Sequence, residues 1–192
     1  MTRAGVRKPM PAASESERQV RAREALSLAL ETEAGGPALD APYEERRGWC
    51  YALALRAFVE APFEPGAKLT LVHGFPRLAQ GFPPLADGFP RLQTTGAMYG
   101  HAWVEVEITT TIPAALAAKG WPAQVITVLC HDPITDGLLP QALYHRAGRI
   151  RPEHCERWST PLDALGALTA HGTIGNWADE DNLPERPIYA AE

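Results

Sequence analysis

Three side chains in this sequence have the types that thiol chemistry requires, at positions where secondary structure would put them to use. Cys50 lies at the start of the apolar stretch WCYALALRAFVE, His101 opens the alternating stretch HAWVEVEI, and Asp132 follows the apolar run VITVLCH. A thiol is a weak nucleophile until it ionises, and a helix N-terminus supplies free N–H groups and partial positive charge that favour the thiolate. A histidine takes the thiol proton and, once protonated, stabilises the anion it has made. A carboxylate behind the imidazole fixes its tautomer and orientation. Residues of these types in this order could attack an amide or ester carbonyl and pass through a thioacyl intermediate.

That chemistry needs a helix beginning near Cys50 and two neighbouring antiparallel strands carrying His101 and Asp132. Residues 49–60 lack Gly and Pro and are almost uniformly apolar, which predicts a buried helix. Residues 68–73, 101–108 and 125–131 read as strands. In the second, period-2 alternation puts His101, Trp103 and Glu105 on one face and Ala102, Val104 and Val106 on the other. Residues 109–123 would join the last two strands, with a short helix at 114–119. An imperfect amphipathic helix is expected over 17–34, carrying Val20, Leu26, Leu28 and Leu30. A polar loop follows it, residues 138–147 favour helix, and 149–158 are irregular or strand-like. Thr160-Pro161-Leu162-Asp163 is a helix start, with a capping hydroxyl, Pro in the first turn and an acid at the third position. That helix should end at Gly172.

The length of 192 residues predicts one domain, 17–178, between a disordered tail at 1–16 and a C-terminal tail at 179–192. Within it lies a Phe-Pro repeat over 74–95, with units GFPRLAQ, GFPPLAD and GFPRLQ starting at Gly74, Gly81 and Gly88. A Gly and a Pro in each unit forbid a continuous helix. The repeat reads as an expanded loop whose Phe75, Phe82 and Phe89 pack locally or meet a partner. The net charge of -5 argues against a general nucleic-acid binder. No apolar run reaches the roughly 20 residues that span a bilayer, and the N-terminus lacks the apolar segment of a secretory signal. Three cysteines cannot all pair within the chain, so free thiols and a cytoplasmic location are expected.

GWCYALALRAF, KLTLVHGF, YGHAWVEVE and VITVLCHDPITD together resemble the transglutaminase-like superfamily of papain-like thiol enzymes, over about residues 48–135. The resemblance implies an α+β fold with a transglutaminase-like core, in which the helix bearing the cysteine packs on an antiparallel sheet with further helices around it. It implies Cys50 as nucleophile, His101 as base and Asp132 as orienting acid, acting as peptidase, amidase or acyltransferase on a peptide, protein or small amide. No cofactor and no metal is required. Trp49, Trp103 and Tyr99 are the expected substrate-binding residues. The Cys50 backbone N–H is one oxyanion donor, with the Trp49 indole or Tyr43 hydroxyl as candidates for the second. The alternative is a transglutaminase-like scaffold without chemistry, a binding or inhibitor protein using the cleft or the Phe-rich loop.

The other titratable residues have plainer readings. Cys130 lies on the same strand face as Asp132 and reads as core, while His131 points the other way. A zinc site made of Cys130, His131, His154 and Cys155 is disfavoured because adjacent strand residues diverge. Glu105 and Glu107 read as solvated, and His73, His145 and His171 as structural or exposed.

Overall fold

The computed structural model describes residues 13–34, 36–60, 63, 67–77, 98–181 and 183–187. Helix α1, Glu15–Ala29, opens with a capping box: Ser14 Oγ accepts from the Glu17 amide, and the Glu17 carboxylate accepts from the Ser14 amide at 2.7 Å. These reciprocal bonds start the helix two residues before the expected position and order residues assigned to a tail. Ala22, Leu26 and, in the π-helical turn Leu30–Ala34, Leu30 are buried; Val20 and Leu28 face solvent. The loop expected next contains a short helix, α2, Tyr43–Arg46.

Helix α3, Cys50–Glu60, begins on the cysteine and buries Leu53, Ala54, Leu55, Ala57, Phe58 and Val59. Strand β1, Lys68–Gly74, and strand β2, His101–Thr111, pair antiparallel. After the short helix α4, Ala114–Ala117, strand β3, Gln124–Asp132, returns along β2. Residues 138–147, expected to be one helix, divide at Pro140. Strand β4, Gly137–Pro140, pairs with the end of β3, and helix α5 follows over Gln141–Ala147. Proline suits this junction, because a helix interior has no use for a residue without an N–H. Strand β5, Glu156–Trp158, adds to the far edge of β1, giving one five-stranded antiparallel sheet in the order β4-β3-β2-β1-β5. Helix α6, Pro161–His171, has the expected caps: Thr160 accepts from the Asp163 amide, and Gly172 ends it at φ 75°, where a side chain would be strained.

The alternation of β2 divides the interior in two. Ala102, Val104 and Val106 join Leu71, α3, α1 and α6 in the larger core. On the opposite face, Val72, Trp103 and Cys130 pack against Tyr144 of α5 and Ile150. Beyond this core the β2–β3 hairpin runs on as an arm. Thr109, Thr110 and Thr111 are exposed, as are Gln124, Val125 and Ile126, with Trp121 at the turn.

Residues 183–187, within the expected C-terminal tail, are tied to the body. Leu183 packs against Phe75, Met98 and Ala178, and Arg77 pairs with Glu185. Phe75, the first aromatic of the repeat, is buried, whereas Phe82 and Phe89 lie outside the described residues. Among the described residues no helix is long and apolar enough to cross a membrane.

Candidate active site

Cys50, His101 and Asp132 meet at one end of the sheet. Their elements dictate this: α3 lies across β1 and β2 and begins there, β2 begins there, and β3 ends there. The register pairs Val104 with His131, which leaves Asp132 beside the first residues of β2 and on the His101 face. His101 Nε2 stands 3.6 Å from Asp132 Oδ1, an ion-pair contact slightly long for a hydrogen bond. Both groups are buried, each 6% exposed, while Cys50 is half-buried.

Burial by itself pushes the His101 imidazole toward neutrality. The Asp132 carboxylate opposes this through its charge and its acceptor oxygens, and the Cys50 sulfur adds to it, so that the imidazole is held up at about 10. For Asp132, burial favours the neutral acid, but His101, the Ile134 amide and the Thr135 hydroxyl outweigh it, and the carboxyl lies below its ordinary range. The Ile134 N–H donates to Asp132 Oδ1 at 2.9 Å, so the Asp132-Pro133-Ile134-Thr135 turn grips its own carboxylate. Arg46 of α2 fastens that turn from outside, donating to the Pro133 carbonyl at 2.9 Å. Local pattern shows Arg46 only as part of the polar loop, because its acceptor is a backbone carbonyl 87 residues away.

The three expected substrate-binding residues fare differently. Tyr99 packs its ring 5.6 Å from His101, and burial followed by the nearby Asp132 and Cys50 pushes its phenol well above the ordinary range. Trp103 has no exposed surface and stacks beneath His101 at 6.2 Å and 26°, so it supports the imidazole and does not line an opening. Trp49 is 39% exposed beside Cys50, with its ring against Gly36, where an added Cβ would come within 2.9 Å. The Cys50 amide, in the first turn of α3, is among the N–H groups that a helix leaves without an internal partner.

A second imidazole lies deeper. His73 is buried among Tyr51, Trp158 and Trp177, and its Nδ1 accepts from the Trp177 amide at 3.2 Å. Burial, then the charges of His101 and His171, push it down to about 3, so it is a neutral packing group. The Tyr51 hydroxyl, next in sequence to Cys50, is buried without a hydrogen-bond partner among the described residues.

Away from this end, Cys130 is in the core as expected, and His131 turns to the other face, with Nε2 3.2 Å from Asp136 and its ring edge-on to Phe63. Glu105 departs from expectation: it is 7% exposed, with His145 Nε2 at 3.5 Å and Arg157 at 3.4 Å. Strand alternation assigns Glu105 a face but says nothing of α5 and β5 covering it.

No family model matches the chain, and neither does a characterised protein or a solved structure.

Proposed function

We propose that this α+β protein is a transglutaminase-like thiol enzyme that cleaves or transfers acyl groups from amides or esters. The observation that carries this reading is His101, held between the Asp132 carboxylate and the Cys50 sulfur at the N-terminus of α3. An imidazolium beside a thiol favours the thiolate, and so does a helix N-terminus.

In the proposed cycle, Cys50 Sγ adds to the carbonyl carbon, and the carbonyl electrons move onto oxygen. The Cys50 amide is one donor to that oxyanion. As the C–N or C–O bond breaks, the His101 proton passes to the leaving group, and a thioacyl enzyme remains. Water or an amine then attacks. Neutral His101 takes the incoming proton, the C–S bond breaks, and the thiolate–imidazolium pair returns. Asp132 keeps the imidazole aimed throughout, and Trp103 supports it from beneath. Tyr99 and Trp49 flank the site and are the proposed contacts for the acyl group. The substrate class is a peptide, protein or small amide.

The test is covalent capture. Incubation with peptide amides and activated esters should give a mass increase confined to the Cys50 peptide, absent in Cys50→Ala and strongly reduced in His101→Ala. A folded Cys50→Ala protein that still turns over such substrates would overturn the reading. So would a wild type whose Cys50 reacts with iodoacetamide no faster than Cys130, the result a scaffold without chemistry would give.

A further inference from the structure

We propose that Glu105, Cys130 and His145 form a binding site for one thiophilic divalent metal ion of the zinc class, behind the triad and separate from it. Glu105 of β2 and Cys130 of β3 are direct partners in the strand register, so their side chains leave the sheet side by side on one face. His145 arrives from α5 above them. The carboxylate, sulfur and imidazole ligand atoms all lie within 4.8 Å of one another. Ligands at zinc's bond lengths of about 2.0–2.3 Å sit roughly 3.5 Å apart around a tetrahedral ion. The three therefore need only small side-chain movements to close on one.

One orphaned polar atom also fits a missing ion. His145 Nε2 is buried with no hydrogen-bond partner among the described residues, and stands 3.5 Å from the Glu105 carboxylate. Arg157, at 3.4 Å from Glu105 Oε1, holds the carboxylate in place as outer-shell partners do. It also sets the charge: Glu105 and a Cys130 thiolate contribute two negative charges and Arg157 one positive, leaving a divalent ion favoured. Sulfur and imidazole donors select zinc, cobalt or similar ions over magnesium or calcium. On binding, the Cys130 thiol gives its proton to solvent and the S–metal bond replaces S–H, with no change of oxidation state. The ion would fasten α5 to β2 and β3 and immobilise Trp103, which also touches the His145 ring edge-on at 6.2 Å.

Cobalt(II) reports this directly. In a Cys50→Ala/Cys155→Ser protein, Cys130 is the sole thiol, so neither the triad nor the half-buried Cys155 can supply sulfur. Titration should give a near-ultraviolet thiolate-to-cobalt charge-transfer band saturating at one equivalent. Adding Cys130→Ser should abolish the band, and adding His145→Ala should weaken binding about a hundredfold, with circular dichroism confirming that each variant is folded. Zinc should displace the cobalt and raise the melting temperature of the wild-type chain. Absence of the band, or a band unchanged by His145→Ala in a folded protein, would overturn the site. Neither result bears on acyl capture at Cys50, so the two proposals stand or fall separately.

Discussion

The same three chemical types occur twice around this sheet. At its end stand Cys50, His101 and Asp132; two residues further along β2 from Trp103, Glu105 stands with Cys130 and His145. Trp103 lies between them, touching a histidine of each set. What separates the clusters is the element that carries the sulfur. Cys50 opens a helix and is half-buried, whereas Cys130 sits within a strand with no exposed surface. Burial pushes the Cys130 thiol up to about 12, with Glu105 adding to it. The carboxylates differ too. Asp132 faces one imidazole, while Glu105 is shared among His145, Gln141 and Arg157, which overcome its burial and hold it at about 2. Residue composition alone therefore does not set a thiol's exposure; position on the fold does.

The largest test of this contrast is alkylation. At neutral pH in metal-free buffer, iodoacetamide should label Cys50 at least about a hundredfold faster than Cys130, since an elevated thiol has almost no thiolate. Cys155, pushed up to about 11 chiefly by burial, should also lag. Peptide mass spectrometry over time reads all three, and equal rates would erase the distinction.

Asp132→Ala should cost about 3–5 kcal/mol in urea denaturation, because it strips His101 of its buried partner and frees the Ile134 amide. It should also slow Cys50 labelling without altering the rate at Cys130. Gly74→Ala tests the connection between the clusters. A Cβ there would come within 2.7 Å of Cys155 Sγ and 2.9 Å of the Trp103 ring, so a loss of about 1–3 kcal/mol is expected.

Both clusters should also respond to pH. Between 6.5 and about 10 the folded chain binds a proton on His101 that the unfolded chain has released, so stability falls as pH rises through that window. Between about 2 and 4.5 the unfolded chain binds a proton that Glu105 refuses, so stability falls as pH drops. His73 adds acid sensitivity between about 3 and 6.5 for the same reason. Each group contributes a slope of at most about 1.4 kcal/mol per pH unit. Melting temperatures should decline on both sides, and His101→Gln should flatten the part of the alkaline decline between 6.5 and about 10. The smallest effect belongs to Ser14→Ala, about 1 kcal/mol from the lost cap, with neither cluster disturbed.

The triad end was legible because each of its residues marks the end of an element, and ends announce themselves through local pattern. Cys50 follows Gly48 and begins an unbroken apolar stretch, while Asp132 precedes Pro133. The caps of α6 were readable for the same reason. The second cluster was not legible. Its ligands come from β2, β3 and a helix whose start is masked by Leu138 and Leu139, which look helical but complete the sheet edge. The burial of Glu105 and the anchoring of Leu183 depend on what docks from elsewhere in the chain, and periodicity carries no record of that. The transglutaminase-like reading itself still rests on the motifs and on the geometry of Cys50, His101 and Asp132.

The hairpin arm offers a practical handle. Thr111 and Gln124 end the strand pair ten residues along β2 from His101, about 33 Å at strand rise. The reversal between them, with Trp121 in solvent, touches neither cluster. A fluorophore, an epitope or a whole carrier domain grafted into that reversal would ride clear of the thiol, so the protein can be immobilised or tracked there while its cysteines are interrogated one at a time.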